Sequence, residues 1–251
     1  MHSSLRLVLV LALVAAAFSV TIWRDWSGDD PMEGPFLWYV LPGILGLAAL
    51  GLLAWFRAER RRGETIQGLA SRLGMGYEPE NERIVSGLLA HLPLFREGRR
   101  QRARNVLRRS GSEREALLFD YSFVTGGGRS RRSHRQTVAA IRLPGTALPQ
   151  FRLSPEHLFV KIGALLGMQD IDFESHPEFS RTYRLRGSNE PAVRSLFQRS
   201  AISFFAREPG WSVDGDGEWL AVYRRERRVK PDEFPSFFES ARQVAEMFRL
   251  S

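Results

Sequence analysis

In the stretch QDIDFESHPEF, Asp170, Asp172, Glu174 and His176 stand at alternate positions. On a strand all four would project from one face, and carboxylates with an imidazole suit Mg2+, Mn2+ or Zn2+. That would be the apparatus of a metal-assisted hydrolase. The plainer account has Ile171 and Phe173 facing a core while the acids face water, as charged residues do on edge strands. An EF-hand is excluded, because apolar Phe173 falls among its ligand positions and the loop glycine is missing. A second acidic run, VDGDGEW with Asp214, Asp216 and Glu218, lies between two strand-like segments and reads as a hairpin turn.

Other chemistry is excluded more firmly. The chain has no cysteine, so it has no thiolate nucleophile, disulfide or cysteine-rich zinc site. VTGGGRSRRSH lacks the lysine of a phosphate-binding P-loop and leads into a strand, not a helix. His91, His134, His157 and His176 sit in unrelated contexts, and no Ser/His/Asp triad follows from their spacing.

Charge is the next signal. The net charge is +8, and all but Lys161 and Lys230 of the 36 basic residues are arginine. From Arg96 to Arg135 twelve arginines face only Glu97, Glu113, Glu115 and Asp120, so this region alone carries an excess equal to the whole chain's. Its centre is LLFDYSFVTGGGRSRRSHRQTVAAIRL, Leu117 to Leu143. Leu117, Phe119, Tyr121 and Phe123 alternate with Leu118, Asp120, Ser122 and Val124, which predicts a strand with an aromatic face. A return strand is expected over about Gln136 to Leu143. The loop between, about 125–135, would carry Arg129, Arg131, Arg132 and Arg135 into solvent as candidate contacts for an anionic surface.

The elements that must hold this finger begin with two apolar runs that contain no charged side chain, 7–23 and 36–56. The first is at the short end of what spans a hydrocarbon core and the second spans it comfortably. Trp23, Trp26, Trp38, Tyr39 and Trp55 cluster at their ends as an aromatic belt. The loop between the runs is acidic, while Arg57, Arg60, Arg61 and Arg62 follow the second, so the positive-inside rule puts both termini in the cytoplasm. A signal peptide cleaved near Ala15 to Ser19 is the rival for the first run. The small-residue pairs Ala12/Ala16 and Ala15/Ser19 favour an uncleaved transmembrane hairpin.

Residues 64–251 predict a cytoplasmic α+β domain with a mixed or antiparallel sheet and packed helices, with room for two subdomains dividing near 145–180. ETIQGLASRLGMG reads as a short helix stopped at Gly74 or Gly76, and RIVSGLLAHLPLF as an apolar stretch of open type. SPEHLFVKIGALLG has a helix start at Ser154, Pro155 and Glu156, and RTYRLRG reads as a strand. SNEPAVRSLFQRSAISFFAREPG is a capped helix broken near Ser200, and WSVDGDGEWLAVYRR a hairpin with Asp-Gly turn chemistry. FPSFFESARQVAEMFRL lines up Phe234, Phe237, Phe238, Ala241, Val244, Ala245 and Phe248 on one helical face.

Two spans, a short arginine tether, then NVL, LFDYSF, a basic tip and TV, with a late strand-helix-hairpin-helix unit, resemble families of uncharacterised bacterial membrane proteins. That resemblance implies two N-terminal transmembrane helices and a cytoplasmic α+β domain and implies no activity or site residue, while the spans and the positive-inside rule predict a multi-pass protein of the inner membrane.

The expected function is therefore a non-enzymatic, membrane-tethered binding or scaffold module with no cofactor. About seven residues separate Phe56 from the first soluble helix, a reach of at most roughly 25 Å that keeps the domain near the bilayer. The basic finger would engage anionic lipid headgroups or an acidic protein, each basic residue near anionic lipid gaining about 1 kcal/mol. The same arginines could serve a nucleic acid, but the aromatics beside them alternate at core spacing and no reader motif is present.

Overall fold

The computed structural model describes residues 35–111, 115–158 and 167–249. The first apolar run, 7–23, lies outside them, as do 159–166 of the expected helix SPEHLFVKIGALLG. The chain divides into two compact units, Met1–Arg62 and Gly63–Ser251.

Helix α1, Pro35–Arg72, contains the second apolar run. It is the one helix among the described residues long and apolar enough to cross a membrane, and none of its apolar window within Pro42–Arg72 is buried. Ile44, Leu45, Leu47, Leu50 and Leu52 are half or more exposed. A two-helix hairpin is not seen among the described residues. The arginine tether and the separate helix at 64 were expected as two elements; both are turns of α1. Ala58, Glu59 and Arg60–Arg62 are strong helix formers, and Gly63 alone does not interrupt them. Its last turns bury Ile66 and Ala70 in the folded unit, and Gly74, at φ +63°, stops it.

The folded unit is built on one nine-stranded sheet in the order β1-β2-β3-β4-β9-β8-β5-β7-β6, with every neighbouring pair antiparallel. Strands β1 (Gly76–Glu80), β2 (Arg99–Arg109), β3 (Ala116–Thr125) and β4 (Arg132–Arg142) form a meander. β5 (Leu148–Pro155), β6 (Gln169–Asp170) and β7 (Tyr183–Gly187) make the far side. The hairpin β8 (Ser212–Gly217) and β9 (Trp219–Tyr223) joins the halves by pairing β9 with β4 and β8 with β5. Strands from both sides of 145–180 thus share one sheet.

Two apolar layers cover it. On one face α2 (Pro177–Thr182), α3 (Glu190–Leu196), α4 (Arg199–Arg207) and α5 (Phe234–Glu246) pack with the end of α1. Every residue of the expected α5 face is buried there, with Phe248 stacked on Phe151 at 5.4 Å. Gly215 makes room for that Phe151 ring, which a Cβ would overlap. On the other face the stretch RIVSGLLAHLPLF becomes a π-helical turn, Ile84–Leu88, and a 3-10 turn, Pro93–Arg96, over the aromatic row Phe119, Tyr121 and Phe123.

Several expectations are corrected. Ser154 and Pro155 end β5, where they pair with Arg184 and Tyr183, and a 3-10 turn, Glu156–Leu158, starts directly after them. The first two residues of RTYRLRG, Arg181 and Thr182, belong to α2, and Tyr183 onward is strand. The expected break near Ser200 falls at Phe197 and Gln198, between α3, capped by the Asn189 side chain on the Ala192 amide, and α4.

Candidate functional site

The basic finger is a tight extension of β3 and β4. The pair runs in unbroken register from Ala116↔Ile141 out to Thr125↔Arg132, so β4 starts four residues before the expected Gln136. The connection is left with residues 126–131, and Gly126 and Gly128 take positive φ of +68° and +53°. A Cβ on Gly126 would run into the Ser130 carbonyl, so this glycine is required by space and by backbone angle. Ser130 closes the tip, its amide and hydroxyl both donating to the Gly127 carbonyl at 3.0 and 2.9 Å.

The four expected contact arginines separate into different roles. Arg129 and Arg131 are exposed at the tip. Arg132 is committed, donating from Nη2 to Glu226 Oε2 at 3.0 Å. Arg135 is exposed on β4 opposite Ser122. Thus two guanidiniums lie at the tip and one on the strand behind it.

At the base of the finger the fold assembles a hydroxyl, an imidazole and a carboxylate that spacing alone did not connect. Thr125 Oγ1 lies 2.7 Å from His134 Nε2, and His134 Nδ1 lies 2.7 Å from Glu226 Oε1. The order matches that of an acyl-transfer relay. His134 is buried, however, stacked 4.7 Å from Phe123, with both ring nitrogens occupied. The bonds fasten the finger to the turn after β9. Glu226 adopts φ +60°, and burial, which would raise its carboxyl, is outweighed by His134 and Arg132, which hold it below the ordinary range. The available signal was that Thr125 and His134 fall on the same face as Phe123.

The acidic row is dispersed. β6 ends at Asp170, so the four residues do not share a strand face. Asp170 pairs with Arg186, whose hydrogen bond and charge hold its carboxyl below the ordinary range. Asp172 and Glu174 are exposed, and His176 precedes α2 with Nδ1 2.9 Å from the Ser175 hydroxyl. Between them Ile171 is buried and Phe173 packs against the core. Among the described residues no set of three His, Cys, Asp or Glu side chains is arranged to hold a metal ion.

In VDGDGEW each acid has its own partner. Asp216 accepts from Gln150 at 2.9 Å, and Glu218 from Arg142 and the Gly145 amide, both at 2.9 Å. Asp214 belongs to a buried ion network: Arg152 donates to it from Nε at 2.9 Å and from Nη2 at 2.6 Å. Arg152 also donates to Glu97, which Arg225 holds from the other side at 2.9 Å. All four groups are buried and their charges cancel. This network ties the covering segment before Glu97 to strands β5 and β8. It escaped sequence reasoning because its members lie 55 to 128 residues apart.

Comparison with known proteins finds the fold but no family. No family model matches the chain, and no curated protein matches it. Among solved structures it is similar to the crystal structure of the mycobacterial trehalose monomycolate transport factor A, TtfA, with a TM-score of 0.57 and 14% sequence identity. The match covers 76% of this chain and 96% of the other, so the chain shares the fold of a transport factor.

Proposed function

We propose that the chain is a membrane-anchored, non-catalytic binding module that serves the handling of a lipid, held at the inner face of the cell membrane with its finger toward anionic headgroups. The observation that carries this is the apolar stretch of α1, in which Ile44, Leu45, Leu47, Leu50 and Leu52 are half or more exposed. The basic flank Arg57–Arg62 favours a cytoplasmic sheet domain. The likeness to a protein named for trehalose monomycolate transport supports a lipid-related role. Arg129 and Arg131, exposed at the finger tip, supply the cationic contact.

The chain's lack of cysteine makes a direct test clean. Alkaline carbonate extraction should leave the full chain in the membrane pellet. A Ser130→Cys variant should react with a membrane-impermeant maleimide only after the cells are opened. Recovery in the carbonate supernatant would remove the anchor, and labelling of intact cells would reverse the orientation.

A further inference from the structure

Behind the finger tip the register aligns three residues across three strands: Arg102 of β2 is opposite Ser122 of β3, which is opposite Arg135 of β4. Directly opposed residues share a face, so two guanidiniums flank one hydroxyl. This is the helix-bearing face, since Tyr121 and Phe123 on either side of Ser122 point into the other layer. Both arginines are exposed, Ser122 is half-buried, and neither arginine has a carboxylate partner among the described residues. The next carboxylate along β3, Asp120, is occupied, accepting from Asn105 at 3.0 Å, Thr137 at 2.9 Å and Arg228 at 3.1 Å.

The backbone beneath Arg102 is shaped for this. A register shift falls between Arg99 and Arg102, with Arg100 at φ +55°, and bulges of this sort re-aim the side chains that follow. The bulge is pinned by Gln101, whose amide donates to the carbonyls of Phe95 at 2.8 Å and Glu97 at 2.9 Å. Neighbouring strands lie about 4.8 Å apart, so the Arg102 and Arg135 backbones stand about 10 Å from each other with Ser122 midway. Two long guanidinium arms at that separation can close on one tetrahedral anion seated over the hydroxyl. Planar guanidinium forks match phosphate oxygens bidentately.

We infer that Arg102, Ser122 and Arg135 form a binding site for the phosphate group of a phosphomonoester. Such a group is close to a dianion at neutral pH, which fits two unneutralised cations better than a singly charged diester. The inference rests on the lipid-facing reading above in that a phosphomonoester headgroup is one source of this chemistry; free phosphate is the other.

The test uses the full chain in uncharged detergent, titrated calorimetrically with inorganic phosphate, with dihexanoyl phosphatidic acid and with dihexanoyl phosphatidylcholine. Saturable binding in either of the first two arms, absent from the third, identifies the site and its source. Arg102→Gln should weaken that binding at least about tenfold, and Arg102→Lys nearly as much, because charge is kept but the fork is lost. Ser122→Ala should weaken it several-fold, and Arg83→Gln, an exposed arginine away from the finger, should leave it unchanged. Equal binding by wild type and Arg102→Gln overturns the site, as does an equal loss in Arg83→Gln, which would mean a diffuse charge effect. Failure of both phosphate arms also overturns it, and leaves the tip-and-anchor reading to be judged by extraction and labelling.

Discussion

Replacing Glu97 by glutamine keeps the volume of a fully buried side chain and removes its charge. Arg152 then has Asp214 as its remaining acid, and Arg225 loses the carboxylate that held it at 2.9 Å. Two buried cations are left with one buried anion. Breaking a buried ion pair from one side costs about 3–5 kcal/mol, a large part of the roughly 5–15 kcal/mol that holds a domain folded. For a unit of this size each kcal/mol moves the melting temperature by about 2–4 °C, so the expected drop is about 6–20 °C. Thermal unfolding of the full chain in mild detergent, followed by circular dichroism, reads this directly. The double variant Glu97→Met with Arg225→Met should melt higher than Glu97→Gln alone, because it removes a neutral pair and leaves Arg152–Asp214 intact. A drop below about 2 °C for Glu97→Gln, or a double variant less stable than the single, would refute the account of this network as a charge-balanced fastener.

Acid should act on the same group. Burial alone would raise the Glu97 carboxyl, but Arg152 and Arg225 hold it below the ordinary glutamate range. Its contribution is therefore present above the unfolded value of about 4.3 and lost as pH falls through the folded one. In a melting-temperature profile the acid limb should be shallower in Glu97→Gln; an unchanged limb would count against it. Gly98→Ala should be severe: the position has φ +65°, and a Cβ would lie 2.5 Å from the Val124 carbonyl oxygen and 2.9 Å from the Phe123 ring. Left-handed backbone costs a non-glycine residue about 1–2 kcal/mol before that clash is added, so a melt within 2 °C of wild type would contradict the geometry. Tyr121→Phe should be neutral or stabilising, since its hydroxyl is buried with no hydrogen-bond partner among the described residues; a clear loss of stability would show that the hydroxyl has one.

What was legible in the sequence followed local periodicity. The LFDYSF alternation and the apolar face of FPSFFESARQVAEMF each carry their pattern within a single element, so strand and helix follow from it, and the expected hairpin of WSVDGDGEWLAVYRR forms with Gly217 and Glu218, not Asp-Gly, at its turn. Where long-range pairing decides, local signals mislead. Ser154-Pro155-Glu156 has the chemistry of a helix start, yet cross-strand pairing with Arg184 and Tyr183 holds Ser154 and Pro155 in a strand. Glycine and arginine from 125 to 135 suggest a long loop, yet the aromatic face of β3 seats His134 beside Phe123 and zips the hairpin to Thr125. Charge was the least readable signal. Of the arginines counted as one cationic region, Arg104, Arg108 and Arg132 have acidic partners, while Arg102 and Arg135 become a row only through a register that a β-bulge sets.

The pairing of β4 with β9 also constrains how the protein is made. β4 is complete at Arg142, but its neighbour does not begin until Trp219. At roughly 5–20 residues per second, the ribosome takes about 4 to 15 s to supply the intervening chain. Throughout that interval the β1–β4 meander presents the apolar edge TVAAI with unpaired backbone groups, the kind of edge that recruits other nascent chains. A nascent product halted after Gly145 should therefore associate with copies of itself, whereas one extended past Tyr223 closes its own edge.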